Sequence, residues 1–310
     1  MINFRYHVVS LTAVFLALAI GLVVGTAALN GPVADSLKNQ VTAVSKDNSN
    51  LRDQANQYLD QLNRAQEFAT EVAGPLLAGK LAGRRVLLVA LPGGQDYLDG
   101  VAAMLTMAGA KITATVTVQD KFFDPANGVE LLDLASQASQ PTVSAAGLPV
   151  NSDGVETASA LLALALLQRP TEVDPDDLTA VLTAYTKQND IAVEDGAVGG
   201  AEATVVVSGL PPVDNQAAKK IQSAVTFTEQ FEKKAKPLVV AGNGIGDGNL
   251  VSEVRGDPTL VKEISTVDNV TTVQGQLATA LTVVERLVAG KVGQYGLSQG
   301  ATSLVPKEAP

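Results

Sequence analysis

The longest apolar stretch of the chain lies close to its beginning. Residues 8–29 read VVSLTAVFLALAIGLVVGTAAL and contain no charged residue, no Pro, no Asn and no Gln. An α-helix rises ~1.5 Å per residue, so about 20 apolar residues cross the ~30 Å hydrocarbon core of a bilayer. The stretch therefore predicts one membrane-spanning helix within residues 1–30, with membrane lipid around it.

A cleaved signal peptide is the alternative to an anchor. The apolar region of a signal peptide usually has about 7–15 residues, which is shorter than this stretch. Gly25, Thr26 and Ala27 nevertheless form a small-x-small sequence of the kind that signal peptidase cleaves. The length of the stretch favours an anchor and leaves cleavage open.

The basic residues on either side of the stretch predict its orientation. Arg5 precedes it, and the next basic residue is Lys38. Basic residues remain on the cytoplasmic side of a membrane helix. We therefore expect a single-pass protein of the cell membrane with a cytoplasmic N-terminus and nearly all of the chain outside the cytoplasm.

Small residues recur four apart inside the stretch, at Ala17, Gly21 and Gly25. Such a row lets two membrane helices approach closely, so it predicts a face for dimerisation. Gly and Ala are also common in membrane helices in general, which leaves a second interpretation open.

The charge of the remaining chain limits its partners. The formal charge is −10, and Arg5 is the one formally charged side chain in the first 30 residues, so the rest carries −11. Nucleic-acid binding requires a basic face that replaces counterions. We therefore expect no nucleic-acid partner.

A heptad pattern follows the apolar stretch. Apolar residues alternate at steps of four and three, and one Asn interrupts them; the positions are Leu37, Val41, Val44, Asn48, Leu51, Ala55, Tyr58, Leu62, Ala65, Ala69 and Val72. Sustained heptads predict a coiled coil, and one Asn at a core position favours two strands in register. The pattern predicts a parallel dimeric coiled-coil stalk over 31–74, which ends at Gly74 and Pro75. Packing of this helix on its own globular domain is the alternative.

The remaining sequence alternates strands and helices. Strands are predicted at 86–91, 112–118, 204–207 and 237–241, and helices at 95–108, 128–138, 155–167, 175–187, 214–234 and 273–289. Short helical turns are predicted at 251–255 and 258–263, and an edge strand or loop at 265–269. This alternation predicts a three-layer α/β domain over 80–292 with a mostly parallel sheet of four or five strands. Residues 79–85 read as a basic hinge and 293–310 as a disordered tail.

Two glycine-containing loops follow predicted strands, where open parallel sheets bind ligands. The first contains Pro92, Gly93 and Gly94, and the second contains Gly242, Gly244 and Gly246. Neither matches the dinucleotide fingerprint or the phosphate-binding loop. We treat both as possible ligand loops and expect no cofactor.

Catalytic and metal-binding residue types are scarce. The chain has no Cys, and its single His is His7, beside the apolar stretch. Asp96 and Asp99 lie near one predicted helix start, and three further carboxylates lie at another, at Asp174, Asp176 and Asp177; carboxylates there offset the helix dipole. Met104 and Met107 are expected in the core. We therefore predict no catalytic residue, no metal site within one chain and no enzymatic activity.

The sequence also resembles a known family. Residues 1–11 (MINFRYHVVSL), the apolar stretch through Gly25, the predicted coil and 265–269 (STVDN) are similar to the actinobacterial copper transporter MctB family. The resemblance implies a cell-envelope protein assigned to the outer membrane as a pore-forming copper exporter. Some members are linked instead to cell division and to the control of cell-wall hydrolases through a membrane partner. We expect a homodimeric scaffold for an envelope partner, with copper export as the alternative and a small-ligand binder as a third class.

Overall fold

The computed structural model of the chain describes residues 4–144, 148–149, 152–169, 171–234, 237–244 and 246–307. The chain divides into two compact units, Met1–Ala65 and Gln66–Pro310. The second unit is called the head below.

Helix α1, Phe4–Asn30, contains the apolar stretch. Among the described residues one helix is long and apolar enough to cross a membrane, over Phe4–Ala27, with a mean hydropathy of 2.6. Helix α2 begins at Pro32 and continues to Leu77. Gly31 separates the two helices, as its poor helix propensity predicts, and Pro32 takes the first helical position, where its missing N–H has no helical partner to lose.

The head is built on a sheet of seven strands within the described residues. They are β1 (Arg85–Ala90), β2 (Lys111–Val118), β3 (Ile191–Val193), β4 (Ala203–Ser208), β5 (Leu238–Gly242), β6 (Ser265–Val267) and β7 (Gln294–Tyr295). Their order in the sheet is β3-β2-β1-β4-β5-β6-β7. Strand β3 runs antiparallel to β2 and the other neighbouring pairs are parallel.

Helices of the head connect these strands. They are α3 (Leu98–Met107), α4 (Gly128–Ala138), α5 (Gly154–Leu167), α6 (Pro175–Lys187), α7 (Ala217–Glu232), α8 (Leu250–Gly256), α9 (Leu260–Glu263) and α10 (Val273–Val284). Short 3-10 turns cover Gln95–Tyr97, Asp120–Phe123 and Pro125–Asn127, and a π-helical turn covers Glu285–Ala289.

Strand β1 separates two apolar cores. Leu87 and Val89 pack into a core that contains residues of α4, α5, α6, α7 and α8. Leu88 and its alternating neighbours pack into a second core with residues of α3, α10 and the end of α2. Successive strand side chains point to opposite faces of a sheet. The two cores therefore lie on opposite faces, and the predicted three-layer α/β domain with a mostly parallel sheet is confirmed.

The last turns of α2 belong to the head. Ala69, Ala73 and Leu77 are buried, and Ala73 and Leu77 form part of the second core. The prediction that the helix ends at Gly74 and Pro75 was therefore wrong. Pro75 has no N–H for a helical hydrogen bond and favours an end of the helix. The free energy gained by burying Leu77 compensates for that lost bond, so the helix continues.

Residues 79–85 are held firmly and do not form a hinge. Leu81 is fully buried, and its N–H donates to the carbonyl of Ala108 at 2.8 Å. Glu202 accepts from Arg84 Nε at 3.2 Å and from the N–H of Arg85 at 3.0 Å. Partial burial opposes ionisation of Glu202, but these hydrogen bonds and the two arginine charges lower its pKa overall. The basic residues thus attach the start of β1 to the sheet.

The predicted disordered tail is ordered over the part that the structure describes, through Lys307. Strand β7 pairs with β6, which is therefore an inner strand. Arg255 Nη1 contacts Asp268 Oδ2 at 2.9 Å, and Arg255 Nη2 donates to the carbonyl of Tyr295 at 2.7 Å. Asp268 also accepts from the N–H of Leu297 at 2.8 Å. These contacts attach residues 294–297 to the sheet, and polar composition alone did not reveal them.

Candidate functional site

Helix α1 presents its row of small residues on an open surface. A Cβ atom added at Gly21 or Gly25 would meet nothing within 4 Å, and Ala17 is exposed. Positions four apart lie on one side of a helix. The three residues therefore share a face with room for a neighbouring helix, and their role in dimerisation stays a prediction.

Helix α2 carries the heptad residues on its surface. In the first unit the apolar ones are between 46% and 68% exposed; they are Leu37, Val41, Val44, Leu51, Tyr58 and Leu62. Asn48 and Ala55 are exposed as well. These eight residues are called the α2 stripe below; they are Leu37, Val41, Val44, Asn48, Leu51, Ala55, Tyr58 and Leu62. Contiguous exposed apolar surface is typical of interaction sites, and pairing through the α2 stripe stays a prediction.

A cavity of about 220 Å³ opens at the carboxyl end of the central strands. Ala90 of β1 is in register with Val207 of β4, so the loops after these strands begin side by side. Pro92 and Gly93 of the first loop and residues 209–212 of the second line the cavity. It is called the β1–β4 cavity below.

Two glycines allow these loops to pack closely. A Cβ atom at Gly94 would lie 2.3 Å from the carbonyl oxygen of Val207. A Cβ atom at Gly209 would lie 2.3 Å from the carbonyl carbon of Gly93. Both positions therefore require glycine because backbone approaches backbone. Of the first predicted ligand loop, Pro92 and Gly93 line the cavity, whereas Gly94 packs against the backbone of Val207.

The second predicted ligand loop has a different arrangement. Gly242 is packed against Val251, whose Cγ2 would lie 2.5 Å from an added Cβ. Gly244 has φ +78° and Gly246 has φ +145°, and neither lines the cavity. Gly248, two residues later, does line it. The role of this loop in binding a ligand stays a prediction, and of its glycines Gly248 is the one placed at the cavity.

Among the described residues that line the cavity, Asp120 and Lys220 carry charge. Lys220 Nζ contacts Asp214 Oδ2 at 2.5 Å. That hydrogen bond, with the nearby carboxylates of Asp120 and Asp124, raises the pKa of Lys220. Hydrogen bonds from Lys220 and from the N–H of Gln216 lower the pKa of Asp214. The ammonium is therefore held in an ion pair at the cavity rim.

Sequence reasoning missed Ser208, Asp120 and Lys220. Each lines the cavity, and each comes from a different segment of the chain. Strand order decides which loops meet, and that order was not readable from the sequence. The Gly-Leu-Pro-Pro loop after β4, residues 209–212, could have indicated the site. Loops that follow parallel strands lie together at one edge of the sheet.

The predicted carboxylates lie at the starts of helices, and Asp174 and Asp177 accept hydrogen bonds there. Asp174 accepts from the N–H of Asp176 at 2.8 Å, which caps α6. Asp177 accepts from the N–H of Thr142 at 2.9 Å and from its hydroxyl at 2.6 Å. Asp96 and Asp99 lie in the first turns of a 3-10 helix and of α3. The predicted location of these carboxylates is confirmed, and their effect on the helix dipole stays a prediction.

The methionines of α3 differ from each other. Met104 is buried as expected, whereas Met107, the last residue of the helix, is 41% exposed. The prediction that both pack in the core was wrong for Met107. In the described part of the chain, His, Cys, Asp and Glu form no group of three or more that could hold a metal ion.

These features define a class of protein: an α/β domain on a mostly parallel sheet, preceded by a helix that is long and apolar enough to be a membrane anchor. The chain belongs to the family described as "Copper transport outer membrane protein, MctB", whose model matches residues 1–306. It is similar to "Copper transporter MctB" of Mycobacterium tuberculosis (strain H37Rv), with 29% identity over 98% of this chain and 99% of that protein. The protein of the same name from Mycobacterium leprae (strain TN) is also 29% identical over 98% of this chain and 99% of its own length. The resemblance noted in the sequence is thus confirmed.

Proposed function

We propose that this protein is a single-pass, membrane-anchored homodimer that presents the head, outside the cytoplasm, to a protein partner of the cell envelope. In this proposal it acts by binding, as a scaffold or regulator, and the partner belongs to cell division or to the control of cell-wall hydrolases. The observation that supports it best is the α2 stripe, because a lone chain leaves this surface without a partner.

The stripe has the composition of a weak dimer seam. Leu51, Tyr58 and Leu62 supply apolar area, whereas Ala55 supplies little and Asn48 lowers stability in exchange for register. Two copies held in one membrane have a high effective concentration, which favours pairing without any new contact. We therefore infer that the stripe forms a dimer at micromolar concentration by itself and that the membrane helix strengthens it.

The dimer is tested by light scattering on the chain without its first 31 residues, at micromolar concentration. The expected mass is that of two chains. Leu51→Ala should shift it toward one chain, whereas Leu76→Ala, which removes an exposed leucine from the last turn of α2, serves as the matched control and should leave the dimer intact. A monomer for the unsubstituted chain would contradict the proposal.

The partner is sought by a pull-down from membranes with the stripe intact and with residues 34–62 deleted. Capture of an envelope protein that depends on those residues is expected. Orientation is tested on intact, wall-stripped cells, where added protease should remove the head. A head that resists protease only until the membrane is permeabilised would contradict the placement outside the cytoplasm.

Copper export or homeostasis is the second candidate function. It is favoured by the names of the relatives, which are copper transporters. A deletion strain would then lose copper tolerance and accumulate cellular copper. Normal tolerance together with normal copper content would count against this candidate and leave the scaffold proposal standing.

A further inference from the structure

The β1–β4 cavity lies where the strand order of the sheet reverses. From β1 the chain proceeds to β2 on one side, and from β4 it proceeds to β5 on the other. The two connections diverge there and leave a crevice beyond the carboxyl ends of the strands, where open parallel sheets bind their ligands. The location is therefore set by topology and does not depend on pairing of α2.

The size of the cavity restricts what it can hold. Its volume is about 220 Å³, which is about seven times the ~30 Å³ that one water molecule takes up in the liquid. Pockets for drug-sized ligands measure ~300–1,000 Å³. The cavity therefore suits a molecule on the order of ten non-hydrogen atoms and is too small for a dinucleotide.

The walls of the cavity are mainly apolar. Leu91, Phe123, Leu210, Ile221 and Leu250 contribute side chains from five different segments. Phe123 also packs edge-on against Phe227 behind the wall, with ring centroids 6.0 Å apart. A wall supported in this way is preformed, and it favours a ligand whose body is apolar.

The charges at the rim disfavour an anion. Among the described lining residues one carries an ammonium group, Lys220, and it is already paired with Asp214 at 2.5 Å. Asp120 adds a second carboxylate to the same rim. A phosphate or carboxylate ligand would meet net negative charge, so a ligand without negative charge binds better here.

Among the described residues that line the cavity, one buried hydroxyl lacks a hydrogen-bond partner. Ser208, at the end of β4, lines the cavity and is 5% exposed. Within the described part of the chain, its Oγ has no hydrogen-bond partner. An unpaired buried hydroxyl is unfavourable, and rotation about the Cα–Cβ bond can turn this one toward a ligand without moving the strand. Ser208 thus offers a single polar anchor.

We propose that the β1–β4 cavity is a binding site for a small, uncharged and mostly apolar molecule with one hydrogen-bonding group, which meets Ser208. The head is then a ligand-binding domain in addition to a surface for protein partners.

The test uses the full chain in lipid nanodiscs with 13C-labelled leucine methyl groups. Three probes share one apolar body: 4-propylphenol, propylbenzene and 4-propylbenzoate. The phenol should shift the methyl resonances of Leu91, Leu210 and Leu250. Repulsion between the carboxylates at the rim and the benzoate should weaken binding of 4-propylbenzoate by about fivefold or more relative to 4-propylphenol. Unshifted methyl groups with millimolar phenol, or equal binding of the benzoate, would overturn the proposal.

Two substitutions localise the site. Ala224→Leu fills the cavity from α7 and should weaken binding of the phenol by about tenfold, the usual scale of overpacking. Ala218→Leu adds the same atoms at an exposed position of that helix and should change nothing. Ser208→Ala should weaken the phenol and leave propylbenzene unchanged. The assignment of the site would be overturned if Ala224→Leu and Ala218→Leu weakened binding of the phenol equally. It would also be overturned if Ser208→Ala weakened the phenol and propylbenzene equally.

Discussion

Replacing Asp268 by Ala should loosen the C-terminal segment of the head. The Asp268 carboxylate is fully buried, and its ion-pair partner Arg255 is 8% exposed. Removing one member of a buried ion pair costs about 3–5 kcal/mol, because the other charge is left without a partner. The N–H groups of Leu297 and Ser298 also lose their acceptor. Water can reach Arg255 once the segment detaches, so we expect the lower end, about 3 kcal/mol.

Calorimetry and hydrogen exchange measure this loss. In a domain of this size 1 kcal/mol corresponds to ~2–4 °C in Tm, so the transition of the head should fall by about 6–12 °C. Amide exchange at Leu297 and Ser298 should accelerate more than exchange in β1. Asp247→Ala, at an exposed position after β5, is the control and should leave Tm unchanged.

A double substitution separates the ion pair from the fold around it. Arg255→Met combined with Asp268→Leu removes both charges and should recover most of the lost stability, because an apolar pair often replaces a buried ion pair without cost. Recovery will be incomplete, since Arg255 also donates to the hydroxyl of Thr266 at 2.8 Å. The reasoning is refuted if Asp268→Ala leaves Tm within about 2 °C of the original value.

Three further substitutions have defined outcomes. Asn48→Val should raise the thermal stability of the α2 dimer and relax its register, as measured by melting and disulfide cross-linking of introduced cysteines. The pKa of Glu202 is lower in the folded protein than the 4.5 of the unfolded chain. The Glu202 carboxylate therefore stabilises the fold fully above pH 4.5, and this contribution is lost as the pH falls through the folded-state pKa. Glu202→Gln should therefore flatten the pH dependence of the unfolding free energy below 4.5, followed by denaturant titration. Gly154→Ala should destabilise the head by about 1–3 kcal/mol, since its Cβ would lie 1.8 Å from the Gly128 carbonyl oxygen, whereas Gly128→Ala meets nothing within 4 Å and is the control in the same melting assay.

The elements that the sequence predicted well are those with strong periodicity. Helix α5, Gly154–Leu167, is apolar nearly all round and buried on nearly all sides, and Asp153 caps it by accepting from the N–H of Glu156. Strand β1 appeared as a continuous apolar run because both of its faces are covered. In such segments the local sequence pattern and the tertiary packing favour the same structure. The prediction therefore did not require knowing which other helices and strands pack against them.

The elements that the sequence missed depend on distant contacts. Strand β3 has three residues and β7 has two, and each adds to an edge of the sheet. Gln294 is buried, and its Nε2 donates to the carbonyls of Val261 and Ile264, at 3.0 Å each. Nothing in the polar run around Gln294 signals these partners. A polar segment can be ordered by a few buried hydrogen bonds, and composition does not record them.

The candidate site was predictable only in part for the same reason. A loop after one strand can be recognised from Pro92 and Gly93, but the loops that face it depend on strand order. Ser208 belongs to a strand predicted correctly, and its place beside the first loop follows from the pairing of β4 with β1. The side chains at the point where strand order reverses thus come from segments that are far apart in the sequence, and no local pattern connects those segments.

The two proposals concern surfaces in different units of the chain, and their consequences can be separated. The α2 stripe requires a second chain, so Leu51→Ala should lower the mass in light scattering and leave the response of the leucine methyl groups to 4-propylphenol intact. The β1–β4 cavity requires a small molecule, so Ala224→Leu should weaken that response by about tenfold and leave the mass unchanged. If either substitution altered both measurements, ligand binding and pairing would be coupled through α2, whose last turns pack in the core that covers one face of β1. Coupling of that kind would have to act across the sheet, because the cavity residues Leu91 and Phe123 belong to the core on the other face.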